Sequence, residues 1–163
     1  MSKLQGARVD LILDNAGFEL YADLMFTLYL LSSGIAAIVV LHPKSIPWYL
    51  SFPPLAHLAY CDMGRFVSDV IPRDIGHLFT SLSNPAYFND EKRNFALDFV
   101  VARLKEYYRG GRIIVPHHNF WTTQHSFWRL PTYEPDLLAD LEKSDLLVFK
   151  GDLNYRKYSL LKN

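Results

Sequence analysis

The stretch from Arg8 to Leu20, RVDLILDNAGFEL, constrains the fold more than any other: an apolar run stops on Asp14 and Asn15, turns at Gly17 and passes into a helical pattern. Val9, Leu11 and Leu13 alternate with Asp10 and Ile12, so both faces of the run are largely apolar, as in a parallel strand covered on both sides. Such a strand delivers the residues that follow it to its carboxyl end, where open α/β sheets bind ligands. Asp14 and Asn15 therefore fall at the rim of the expected sheet. An acid beside an amide, with no thiol or imidazole near, suits a hard cation such as Mg2+ or Mn2+ rather than a zinc cage. Asp-Asn also favours turns, and the pair alone leaves both readings open.

A chain of 163 residues, half of them apolar, has enough material for one domain with a real core. Seventeen basic and seventeen acidic residues cancel, which argues against a dedicated nucleic-acid binder. The single cysteine, Cys61, excludes an internal disulfide framework and fits a reducing compartment. The start, MSKLQGARVD, lacks the apolar core of a secretory signal, so the expected location is cytoplasmic, or also nuclear. Leu24 to His42 is uncharged and long enough to raise the question of a membrane span. Ser32, Ser33 and Gly34 divide it into a Leu-rich half and a β-branched half, which fits a buried helix followed by a buried strand, so no membrane is expected.

Along the chain, Phe18 to Leu31 reads as a helix with Glu19 and Asp23 in its first turns, and Ile35 to Leu41 as a second strand ending in His42-Pro43-Lys44. Glu19 lies one turn from Asp14 and can face the same rim. Lys44 to Val70 is proline-broken yet apolar. Asp69, just before Pro72, reads first as a helix cap, with a ligand role as the alternative. Ile75 to Leu82 is a short helix; Asp90 to Tyr108 is a longer one, with Phe95, Phe99, Ala102 and Leu104 as its apolar stripe and Gly110-Gly111 as its stop. Arg112 to Pro116 is a third strand. His117, His118 and His125 have the wrong spacing for a helical metal pair and read as structural or surface residues. Phe120, Trp121, Phe127 and Trp128 pack a loop, Pro135 to Leu141 is a helix, and Leu146 to Phe149 is the fourth strand. After it, Lys150-Gly151-Asp152-Leu153-Asn154-Tyr155-Arg156-Lys157 repeats the opening arrangement, with cations added. A glycine turn exposes N–H groups there, and Arg156 with Lys157 or Lys150 can grip an anion.

Taken together, VDLILDNAGFEL with Asp23-Leu24, His42-Pro43-Lys44-Ser45-Ile46-Pro47-Trp48, Val67-Ser68-Asp69, Phe120-Trp121-Thr122 and Phe149 to Lys157 resemble the damage-control phosphatases of the acidic-residue methyltransferase type. That family, of subfamily III, comprises metal-dependent sugar-phosphate phosphatases. The resemblance implies an α/β three-layer sandwich with a mostly parallel, Rossmann-like sheet. It implies Asp14, Asn15 and Asp69 as ligands of Mn2+ or Ni2+, with Co2+ or Mg2+ as substitutes, and Glu19 as a further site position. It implies Asp152, Leu153, Asn154, Tyr155 and Arg156 as the substrate-binding segment, with Asp14 and Asp152 catalytic. The implied substrates are small phosphorylated sugars such as fructose 1-phosphate and fructose 6-phosphate. A glutamate O-methyltransferase activity on protein substrates, using S-adenosylmethionine, is also attributed to the family; no glycine-rich nucleotide fingerprint supports it here.

Residues 1–163 are expected to form a single α/β domain, shortened at both ends relative to the family, whose later Arg-Thr-x-Lys motif is absent from this sequence. Leu50 to Phe66 reads as an insertion or translated intron between Tyr49 and Val67. A chain so shortened is expected to expose apolar faces, and a remnant that binds metal or a phosphometabolite without turnover is the alternative to an enzyme.

Overall fold

A computed structural model describes residues 6–46, 69–84 and 91–159. The expected insertion, Leu50 to Phe66, lies outside the described residues. The described chain forms β1 (Ala7–Ile12), α1 (Phe18–Ser32), β2 (Ala36–His42), α2 (Pro72–Leu82), α3 (Glu91–Arg109), β3 (Ile113–Ile114), 3-10 turns at Asn119–Thr122 and Phe127–Arg129, α4 (Leu130–Tyr133), α5 (Pro135–Leu141), β4 (Leu146–Phe149) and α6 (Gly151–Ser159). The strands make one parallel sheet in the order β3-β2-β1-β4, with helices on both sides. This is the expected α/β sandwich.

The alternation in β1 places its two sets of side chains in two cores. Val9, Leu11 and Leu13 pack with Val39 and Leu41 of β2 against α1, α2 and α3, through Leu20, Leu24, Ile75, Leu104 and Tyr107. Ile12 faces the other way, onto Phe120, Trp121, Leu130, Leu137 and Leu141. Asp10 shares that second face and is fully buried. Its carboxylate accepts from Arg8 Nε and Nη2 at 2.8 and 2.9 Å and lies 2.9 Å from His42 Nε2. Burial pushes Asp10 up, but the bonds from His42 and Arg8 outweigh it and hold the carboxyl below its ordinary range. Arg8 also grips Asp140 at 2.7 and 3.2 Å, which brings that carboxyl down to about 2.

The stretch 24–42 is shared between α1 and β2 and turns at Gly34, whose φ of 72° suits glycine. Among the described residues no helix is long and apolar enough to cross a membrane.

Four expectations need correction. Asp69 is not a cap: the α2 N-cap is Ile71, and Asp74 accepts the Ile71 N–H at 2.9 Å, so the acid that reaches back is the one inside the first turn. Pro72 opens that helix, three residues before the expected start. The third strand shrinks to Ile113–Ile114, because only two residues pair with β2. In α3 the buried stripe is Val101, Leu104 and Tyr107, while Phe95 and Phe99 are 79% and 58% exposed. Leu104→Ala should therefore cost about 2–5 kcal/mol and Phe95→Ala no more than about 0.5 kcal/mol, as read from urea unfolding of the two variants beside the parent.

Candidate functional site

From β1 the chain steps through β2 to β3 on one side, and β4 then adds on the other, so the strand order reverses at β1. The crevice between the carboxyl ends of β1 and β4 is the switch point, the usual ligand position in open parallel sheets. Two backbone bonds prolong the ladders to that rim: Leu13 N to His42 O at 3.1 Å and Lys150 N to Ile12 O at 3.2 Å. Asp14 and Asn15 emerge from β1, Lys44 from β2 and Gly151 from β4. Asp69 is brought to them by an antiparallel bridge with Asn15, fixed by Val70 N to Asp14 O at 2.9 Å and Lys44 N to Val70 O at 2.7 Å.

Lys44 is the centre of the resulting cluster. It is 1% exposed, and its Nζ donates to Asp14 Oδ1 at 3.0 Å and to Asp69 Oδ1. The Asn15 amide nitrogen donates to Asp14 Oδ2 and to Glu19 Oε2, both at 3.0 Å. Helix α1 supplies Glu19 and Asp23, and Lys150 bonds both, at 2.7 Å to Glu19 Oε1 and at 2.7 and 2.8 Å to the two Asp23 oxygens. Burial pushes Asp23 up, and the opposing bond from Lys150 does not cancel it. For Glu19 burial also raises, but Lys150 and Asn15 together leave the carboxyl below its ordinary value. Lys150, lowered by burial and raised more by the two acids, ends above the usual lysine range.

Gly151 shows how closely β4 approaches this cluster. Its φ is 81°, and a Cβ added there would lie 1.9 Å from Asp14 Oδ2. The start of α6 therefore sits directly against the Asp14 carboxylate, on the same rim as Asp69.

The rest of α6 is divided between rim and interior. Asp152 and Arg156 form an exposed i,i+4 ion pair, Tyr155 is exposed and Leu153 is partly covered. Asn154 is fully buried and donates to Lys150 O at 2.7 Å, closing the turn. Lys157 is buried as well, donating to Phe120 O at 2.7 Å and Trp121 O at 3.3 Å and lying 4.7 Å over the Phe120 ring. Of the three cations expected to grip an anion, Lys150 is engaged by α1 acids and Lys157 by carbonyls; Arg156 alone lies on the surface.

Among the described residues no three His, Cys, Asp or Glu side chains converge on one metal position. His42 belongs to the buried Asp10 pair, burial pushes His118 down, and His125 stacks on Tyr133 with ring centres 3.9 Å apart. The set that does converge is Asp14 and Asp69 on the ammonium of Lys44, with Asn15 beside them, its amide nitrogen on Asp14 and its backbone bridged to Asp69. Hard oxygen donors already holding one cation have the chemistry to hold a divalent one. Reading the residues individually missed Lys44; its signal is its place two residues past β2, at the rim β1 defines.

Fold and rim together define an open parallel α/β domain with an acidic, lysine-bridged cluster at its switch point. The damage-control phosphatase ARMT1-like domain matches residues 1–52 and 57–161, and the chain belongs to that family. It is 38% identical over 150 residues to "Damage-control phosphatase ARMT1" of Mus musculus, covering 92% of this chain and 29% of the mouse protein. The proteins of the same name from Homo sapiens and Danio rerio are each 36% identical, over 155 and 158 residues, covering 95% and 96% of this chain and 30% of either relative. The chain thus spans under a third of the length of these relatives.

Two outcomes follow from the geometry. Gly151→Ala should destabilise by about 1–2 kcal/mol from the left-handed backbone alone, and more from the displaced Asp14 carboxylate, measured by thermal unfolding. Burial, helped by the charge of Lys44, pushes Lys157 down to about 8 from 10.5. A lysine whose folded value is depressed costs stability while both states are protonated, and that cost is relieved as pH rises from 8 to 10.5. The stability of the parent relative to Lys157→Met should accordingly rise across that window by up to about 3 kcal/mol, checked by urea titrations at stepped pH.

Proposed function

We propose that this chain carries the metal- and phosphate-handling core of a damage-control phosphatase acting on small sugar phosphates of the fructose 1-phosphate or fructose 6-phosphate type. The observation that supports this reading is the meeting of Asp14 and Asp69 on one cation at the switch point, with Asn15 bonded to Asp14 and the Gly151 turn against the same carboxylate. Its family membership and the names of its relatives point the same way.

Asp14, Asn15 and Asp69 would hold Mn2+ or Ni2+, with Co2+ or Mg2+ as substitutes. Once bound, such an ion polarises the phosphoryl oxygens and makes a coordinated water a better nucleophile. The chain's own residues do the rest. Glu19, bonded to the Asn15 amide, fixes that side chain, and Lys150 keeps Glu19 and Asp23 in place. The first turn of α6, closed onto the rim through Gly151, offers N–H groups and the positive end of its dipole to an anion. Arg156 is assigned to the phosphoryl oxygens, Asp152 to orienting the water or a sugar hydroxyl, and Leu153, Asn154 and Tyr155 to shaping the sugar subsite. The exposed Asp152–Arg156 pair opens toward a ligand at little cost, since surface ion pairs contribute only about 0–1 kcal/mol.

Phosphate release from fructose 1-phosphate and fructose 6-phosphate should depend on added Mn2+ or Ni2+, and Asp14→Ala should lower it by roughly 100-fold or more. Calorimetric binding without release would reduce the site to a binding remnant, and methyl transfer from labelled S-adenosylmethionine to protein carboxylates would reassign it to the methyltransferase chemistry.

A further inference from the structure

Two carboxylates brought together from different segments repel, and a buried pair stays together only with a cation between them or a proton on one of them. Asp14 and Asp69 meet this requirement through the ammonium of Lys44. The main chain of Lys44 is pinned to Val70 by a 2.7 Å hydrogen bond, so the residue cannot leave the rim. Its four-carbon stem, in contrast, leaves the ammonium free to change partners. The other lysine of the rim, Lys150, is held by Glu19 and Asp23 of α1, away from the Asp14–Asp69 bridge.

We propose that Lys44 is the resident cation of this site: it holds Asp14 and Asp69 side by side until a divalent ion takes their carboxylates, and its displaced ammonium then binds the phosphoryl group. The inference rests on the reading of Asp14, Asn15 and Asp69 as the ligands of that ion. No covalent bond changes in the exchange. One cation replaces another on the acids, and the positive charge released beside them is the charge an incoming phosphate needs. Lys44 thereby organises the ligands in advance of the metal, at the expense of metal affinity, and recovers that expense in anion binding.

The test is Mn2+ calorimetry on the parent chain and Lys44→Met, followed by inorganic phosphate added to each Mn2+-saturated protein. Lys44→Met should bind Mn2+ tighter by on the order of tenfold, bind phosphate correspondingly more weakly, and unfold at a lower temperature than the parent only when metal-free. Unchanged or weaker Mn2+ binding by a folded Lys44→Met overturns the inference while leaving the ligand reading in place. Absence of Mn2+ binding by both proteins overturns the ligand reading, and the inference with it. Should Lys44→Met not fold, reductive methylation of the parent, read by mass spectrometry, decides the matter. Lys44 should become reactive on saturation with Mn2+ and be protected again by phosphate, with buried Lys157 as the unchanging control; reactivity of Lys44 indifferent to Mn2+ overturns the inference.

Discussion

Two backbone hydrogen bonds hold the site together. Val70 donates to the carbonyl of Asp14 and accepts from the amide of Lys44, so the short segment at Asp69 is stitched between the ends of β1 and β2. Without them the acid of one segment and the acid and lysine of the others would have no reason to meet, since they lie far apart along the chain. Buried backbone groups must find partners, and here satisfying two of them brings a third functional side chain to the rim. The carboxylate–ammonium contacts then form between groups whose positions the main chain has already set.

The rim is supported from both layers of the sandwich. On the α1 side, Glu19 and Asp23 fix Lys150, the residue that leads from β4 into α6. On the opposite side, Lys157 reaches from α6 into the turn at Asn119–Thr122, where two carbonyls and an aromatic ring receive it. The helix following Gly151 is thus tied at both ends. That leaves Asp152, Tyr155 and Arg156 on its solvent side, the only face not committed to packing.

The opening strand, its rim pair and the parallel α/β architecture were legible in the sequence because each depends on local alternation and on the turn at Gly17. The phase of α3 was not. Aromatic and aliphatic residues recur on two overlapping stripes, and only packing against α1, α2 and β3 selects Val101, Leu104 and Tyr107 over Phe95 and Phe99. Asp69 was ambiguous for the same reason: a carboxylate before a proline fits a cap locally, and the bridge to Asn15 that draws it elsewhere is long-range. The engagements of Lys44, Lys150 and Lys157 were likewise invisible, since a lysine's partner is set by the fold around it and not by its neighbours in the chain.

The charged cluster at the opposite end of β1 bears on all of this. Arg8 binds Asp10 and Asp140 through its side chain, while its backbone exchanges bonds with Asp145: the amide meets the Asp145 carboxylate at 2.8 Å and the carbonyl accepts from Asp145 N at 2.9 Å. Sliding the strand by one position would turn Asp10 into the hydrocarbon beneath α1; sliding it by two would keep the faces but strand Arg8 away from its acids. Both slips are thereby vetoed at the amino end, which acts as an alignment pin. The placement of Asp14 and Asn15 at the far tip of the strand is inherited from a clasp that lies at its other end.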